Sequence, residues 1–122
     1  MANIMIVDDS NYTRRTHRRI LESDGHVVQE AGSGLAAIEG FFVHHPDLVL
    51  LDLTMEDMSG LEVLRQLRVL QNDARVIVIS ADVQRSTAKL VAEAGALRFL
   101  GKPVSPEALL EAIREALAES VS

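Results

Sequence analysis

Asp8-Asp9, Asp52, Ser80 and Lys102-Pro103 each follow a short apolar run, at residues 3–7, 48–51, 76–79 and 97–100. Their chemistry is complementary if the fold brings them together. Three aspartates in one cleft repel one another, on the order of several kcal/mol, unless a cation or a proton neutralises them. Magnesium meets that need, because it keeps several waters and is held by one or two carboxylates plus phosphate oxygens, whereas a calcium loop needs more ligands. Lys102 would set a point positive charge against a phosphoryl oxygen, and Ser80 would offer its hydroxyl to another. Each residue taken singly has a plainer reading. Asp8 or Asp9 caps a helix beginning near Ser10, Asp52 starts a turn, Ser80 caps a helix and Lys102 is a solvated loop residue.

The elements that must position these residues alternate along the whole chain. Strand-length runs at 3–7, 27–29, 48–51, 76–79 and 97–100 are separated by segments of helical period at 10–24, 33–44, 60–70, 84–94 and 106–120. Gly25, His45-Pro46, Asn72 and Gly95 supply the stops. Leu48-Val49-Leu50-Leu51 and Val76-Ile77-Val78-Ile79 are apolar throughout, as a strand must be when helices cover both faces of its sheet. The fold class is therefore α/β: a doubly wound, five-stranded parallel sheet with five helices. Right-handed crossovers favour the flavodoxin-like order 2-1-3-4-5. In that order the ligand crevice lies beyond the carboxyl ends of the strands, between the first and third, where the four polar stretches converge. Pro103 restricts Lys102 to extended backbone; a cis Lys102-Pro103 bond could aim the ammonium inward, with trans the default from composition.

Composition narrows the function. With 122 residues, 48% apolar and 25% charged, the chain suits one folded domain over 1–122. The absence of cysteine removes disulfides and zinc–thiolate sites, leaving oxygen and imidazole donors. A net charge of -6 argues against direct nucleic-acid binding and toward a protein partner. No run approaches the roughly 18 apolar residues of a membrane span, and Met1-Ala2-Asn3 leads straight into a strand, so the expectation is a cytoplasmic protein without membrane contact. Arg14-Arg15 and Arg18-Arg19 pair at i+4 on the first helix, which reads first as a solvated face and second as a dock for an acidic partner helix. His44-His45 lack a third ligand, and His17 and His26 take surface or packing roles.

Asp8-Asp9, Asp52 closing an apolar strand, Met55, Gly60, Ser80-Ala81 and Lys102-Pro103 together resemble the receiver family of two-component signalling, over the whole chain. The resemblance implies that Asp52 accepts a phosphoryl group from a histidine kinase or phosphotransfer protein. It implies that Asp9 binds magnesium directly, Asp8 acts through water and Thr54 contributes its backbone carbonyl. Lys102 then neutralises the phosphoryl group, Ser80 is the hydroxyl switch, and small Ala81 leaves room for the group to enter. Thr54 and Asp82 flank the route of the water that would hydrolyse the acyl phosphate; the plainer reading of Asp82 is a helix-start residue. Phe99 occupies the position of the aromatic that turns inward, altering the face made by helix four, strand five and helix five, where an effector would bind. Many relatives carry tyrosine there. Phenylalanine lacks the hydroxyl, so rotation would rest on packing alone, and a plain core residue is the competing reading.

Two departures concern the loop after Asp52. Glu56 stands where proline is frequent and Ser59 where aspartate is common, which makes that loop less restrained than in relatives. The expected activity is a self-catalysed phosphoacceptor switch, not an enzyme with turnover. A receiver fragment of a larger regulator with an output domain is a close variant, though Met1 and the short tail favour a whole protein. A magnesium-dependent phosphohydrolase working through an aspartyl phosphate is the alternative from another class. It typically needs a second aspartate two residues after the nucleophile, and here that residue is Thr54. A flavodoxin fits poorly, because the Asp8–Thr13 segment is acidic where a flavin phosphate would sit.

Overall fold

The protein was analysed as a computed structural model that describes residues 1–120; Val121 and Ser122, the end of the single domain expected over 1–122, lie outside the described residues. Strands β1 (Asn3–Val7), β2 (Val27–Ala31), β3 (Leu48–Asp52), β4 (Val76–Ser80) and β5 (Arg98–Gly101) alternate with helices α1 (Asn11–Ser23), α2 (Gly34–His44), α3 (Gly60–Leu70), α4 (Arg85–Glu93) and α5 (Pro106–Ala118). All pairings are parallel, in the order β2-β1-β3-β4-β5, so the expected doubly wound flavodoxin-like topology is present.

Side-chain alternation along the strands divides the core between two faces. Met5, Val7, Val49, Leu51, Val76 and Val78 pack under α2, α3 and α4. Ile4, Ile6, Leu48, Leu50, Ile77 and Ile79 pack under α1 and α5, which contribute Leu21, Leu109 and Ile113. Every residue of β3 and β4 is buried, as continuous apolar runs require of strands covered on both sides.

Helix boundaries follow local chemistry. Ser10, Ser33, Ser59 and Ser105 each accept an N–H of the first turn at 3.1–3.2 Å, and Pro106 follows Ser105 at the first helical position, where a missing N–H costs nothing. Gly25 and Gly95 adopt positive φ after α1 and α4, and His45 takes the left-handed conformation that ends α2. The strands reach further than apolar patterning suggests: β2 continues to Ala31, β3 to Asp52 and β4 to Ser80. Ladder hydrogen bonds are made by backbone, so a polar side chain at a strand end does not end the pairing; Asp52 aligns with Ile79 and Ser80 with Gly101. Helix α4 is shorter than expected by one residue at each end.

Candidate functional site

Register places the polar residues at one level. Val7 aligns with Leu51, and Asp52 with Ile79, so Asp8, Asp52 and Ser80 leave the sheet side by side. One carboxylate oxygen from each of Asp8, Asp9 and Asp52 lies within 4.8 Å of the others. Asp8 and Asp52 are buried, at 3% and 7% exposure, while Asp9 is exposed. Two charges are thus held in a poorly solvated pocket beside a third that faces water. Burial raises the Asp52 carboxyl above the ordinary aspartate range, and repulsion from Asp8 adds to it; the Lys102 ammonium and the Thr54 N–H oppose the shift without cancelling it.

Lys102 is the cation of the cleft. Its Nζ donates to Asp8 Oδ2 at 2.9 Å and lies 3.4 Å from Asp52 Oδ1. Burial would lower the lysine, but its hydrogen bond to Asp8 and the attraction of both carboxylates outweigh it and the net shift is upward. The backbone N–H of Lys102 donates to Ser80 O at 2.9 Å, which pins the β5 end to β4. The Lys102-Pro103 peptide is cis, not the default trans.

The plainer readings divide. Ser10, not Asp8 or Asp9, caps α1, although Asp8 Oδ1 accepts the Ser10 N–H at 2.9 Å. Ser80 does not cap α4: its buried hydroxyl accepts the Asp82 N–H at 3.0 Å within the loop. Asp82 does the work of a helix-start residue. It accepts from Thr87 Oγ1 at 2.7 Å and from Gln84 N at 3.1 Å, and those two bonds, the first the larger, hold its carboxyl below the usual range. Thr54 is exposed on the loop after β3, Ala81 is exposed at the β4–α4 turn, and Phe99 is half-buried against the α2–α3–α4 side of the core.

Gly60 fixes how closely α3 approaches the cleft. A Cβ there would lie 2.4 Å from the Asp52 carbonyl oxygen, and the Gly60 N–H donates to Leu53 O at 2.9 Å. The first turn of α3 therefore supports the peptide that carries Asp52.

The structure resolves two readings that the sequence left open, the place of His17 and the role of the arginine run. His17 is buried at 8% exposure beneath the cleft; burial lowers its imidazole, the nearby Asp8 charge opposes that and Lys102 reinforces it. Its i, i+4 spacing to buried Leu21 was the available signal. The arginine run also splits. Arg14 and Arg18 turn to Glu30 of β2 at 3.0 and 2.7 Å, and Arg14 also donates to the Asp8 carbonyl and to Asn11 Oδ1. Arg15 and Arg19 remain exposed. Beside them a cavity of about 530 Å³ opens between α1 and the β5–α5 loop, lined by Tyr12, Thr16, Ile20, Pro103 and Val104 and reaching Lys102.

A doubly wound sheet whose strand ends carry three crowded carboxylates, a buried hydroxyl and a lysine forms an acidic cleft at the topological switch point, with oxygen donors that could hold a cation. Comparison with known proteins narrows the class. Residues 4–114 match the family described as the response regulator receiver domain, and the chain belongs to that family. It is 39% identical over 115 residues to the chemotaxis protein CheY of Bacillus subtilis, covering 93% of this chain and 96% of that one. It is also 42% identical over 113 residues to the nitrate/nitrite response regulator protein NarP of Escherichia coli, of which it spans 53%. Among solved structures, a CheY-like receiver domain protein from Methanospirillum hungatei superposes with a TM-score of 0.92 at 29% identity, over 96% of this chain and 94% of that one. The CheX-CheY-BeF3-Mg complex from Borrelia burgdorferi gives 0.92 at 31% identity, over 96% and 90%. Membership supports a phosphorylation-dependent signalling switch rather than an enzyme with turnover. Among the described residues, no helix is long and apolar enough to cross a membrane.

Proposed function

We propose that the chain is a cytoplasmic signalling switch, a single receiver domain over 1–122, that takes a phosphoryl group from a histidine kinase or phosphotransfer protein onto Asp52. The observation that carries this reading is the crowding of Asp8, Asp9 and Asp52 within 4.8 Å, with one ammonium, Lys102, to balance them. Three carboxylates this close repel one another, and a bound cation would relieve that repulsion. The donor set is all oxygen, partly wet and partly buried, which fits magnesium: Asp9 and Asp52 would hold it directly, Thr54 through its carbonyl and Asp8 through water. Bound there, magnesium would neutralise charge on the transferring oxygens.

The chain's own residues do the rest. An Asp52 carboxylate oxygen forms the bond to phosphorus in line as the bond to the donor imidazole breaks. Lys102, now within reach of both Asp8 and Asp52, holds an equatorial phosphoryl oxygen in place of a carboxylate. Ser80 gives up its bond from Asp82 N as its hydroxyl turns to another oxygen, and Ala81 offers no side chain to block entry. Phe99, half-buried on β5, is the residue through which the change would reach the α4–β5–α5 face read by an effector protein. The kinase would approach over α1, which lines the apolar cavity reaching Lys102 and carries the exposed Arg15 and Arg19. Neither partner step requires nucleic acid or membrane.

The test is phosphorylation by acetyl phosphate with and without magnesium, read by intact mass. Magnesium-dependent gain of one phosphoryl group, absent in Asp52→Asn, is the expected result; steady release of phosphate from small phosphomonoesters would instead revive the phosphohydrolase reading.

A further inference from the structure

The loop of residues 53–59 follows Asp52 and carries Thr54, and neither Glu56 nor any other residue of it is a proline that would restrain it. The structure shows a restraint of another kind. Asp57 Oδ1 accepts the Gly34 N–H at 2.9 Å and Oδ2 accepts the Leu35 N–H at 3.0 Å, so one carboxylate from this loop closes the first turn of α2. The next N–H of that turn, Ala36, goes to Ser33 Oγ at 3.1 Å. A carboxylate at a helix N-terminus is favoured by the partial positive charge there. The Gly34 N–H, and after it the Leu35 N–H, holds the Asp57 carboxyl below its usual range. Met58 seats beside it: a Cβ on Gly34 would come within 2.3 Å of the Met58 Cγ, so glycine is what lets the loop lie this close. The other end of the loop is closed by the Gly60 N–H on Leu53 O.

Resting on the reading of the cleft as a magnesium-dependent acceptor site, we propose that Asp57 is its positioning residue, clamping the 53–59 loop to α2 so that the Thr54 carbonyl is held where the cation binds. Asp57 touches neither metal nor phosphoryl group. It acts by removing the conformational freedom that Glu56 leaves in the loop, and a ligand that need not be ordered on binding gives tighter binding.

Calorimetric titration of the full chain with magnesium chloride tests this in three variants. Asp57→Asn should raise the magnesium dissociation constant roughly tenfold, the scale seen when a group that orients a metal ligand is lost. Ser33→Ala weakens the same helix turn without touching the loop, and should lower the melting temperature while leaving magnesium affinity unchanged. Unchanged affinity in Asp57→Asn, or equal weakening in Ser33→Ala, overturns the proposal. Asp9→Asn should abolish binding at the cleft; if it does not, the reading of the cleft falls first, and that failure is distinct from any result at Asp57.

Discussion

Replacing Gly60 by alanine should damage the acceptor without altering a single polar group. The new Cβ would stand 2.4 Å from the Asp52 carbonyl oxygen, 2.6 Å from Leu53 Cα and 3.1 Å from the Asp52 carbonyl carbon. All three are backbone atoms, so no rotamer change relieves the contact. Restoring the oxygen contact to 3.0–3.4 Å, where Cβ contacts become tolerable and then ordinary, needs a shift of roughly 0.6–1 Å between α3 and the end of β3. Strand β3 is paired on both sides and buried on both faces, so the displacement falls on the Asp52-Leu53 peptide and the loop beyond. Overpacking of this kind costs about 1–3 kcal/mol. For a domain of this size that lowers the melting temperature by about 3–12 °C. The chemical effect should be larger, because misplacing a reacting group by about 1 Å costs up to ~100-fold in rate. The assay is the rate of acetyl-phosphate labelling with magnesium, on protein shown to be folded by circular dichroism and a thermal melt. A Gly60→Ala protein that melts and labels like the parent would refute the claim that α3 supports the acceptor.

Three further outcomes are expected. Lys102→Ala leaves Asp8 and Asp52 without their cation and should cost about 2 kcal/mol, below the usual figure for a broken buried pair because the lysine is partly exposed; magnesium should restore more stability to this variant than to the parent, and an unchanged denaturation midpoint would contradict the pairing. Because burial, then Asp8, raises the Asp52 carboxyl, its contribution to stability is fully present below the ordinary aspartate range and is lost as pH rises through the folded value. Asp52→Asn should therefore gain on the parent in metal-free urea denaturation as pH climbs out of that range toward neutrality, and a gap independent of pH would count against the shift. Charge reversal at exposed Arg15 and Arg19 should slow transfer from the cognate kinase while leaving acetyl-phosphate labelling intact; the same change at Arg14 and Arg18 would instead break their pairing with Glu30 and show as lost stability.

The sheet order and all five helices were legible because the three central strands, β1, β3 and β4, are nearly continuous apolar runs and four helices carry a serine at the start. The convergence of Asp8, Asp9, Asp52, Ser80 and Lys102 followed from the topology, since each lies at or just beyond the carboxyl end of a strand. What sequence could not settle was the partner of each side chain. Nothing in the spacing of Arg14 and Arg18 points across to Glu30, and nothing in the loop points Asp57 at a helix that begins 23 residues earlier. Both are long-range contacts whose geometry exists only once the sheet is assembled. The cis Lys102-Pro103 bond was likewise open to sequence only as one of two isomers.

The most direct measurement is to label the protein with acetyl phosphate and magnesium, reduce the acyl phosphate with borohydride, and locate the modified residue by peptide mass spectrometry. Reduction confined to Asp52, and dependent on magnesium, is the expected result. Modification at Asp8 or Asp9 instead, or equal labelling with the metal chelated, would contradict the assignment of Asp52 as the acceptor in a cation-balanced cleft.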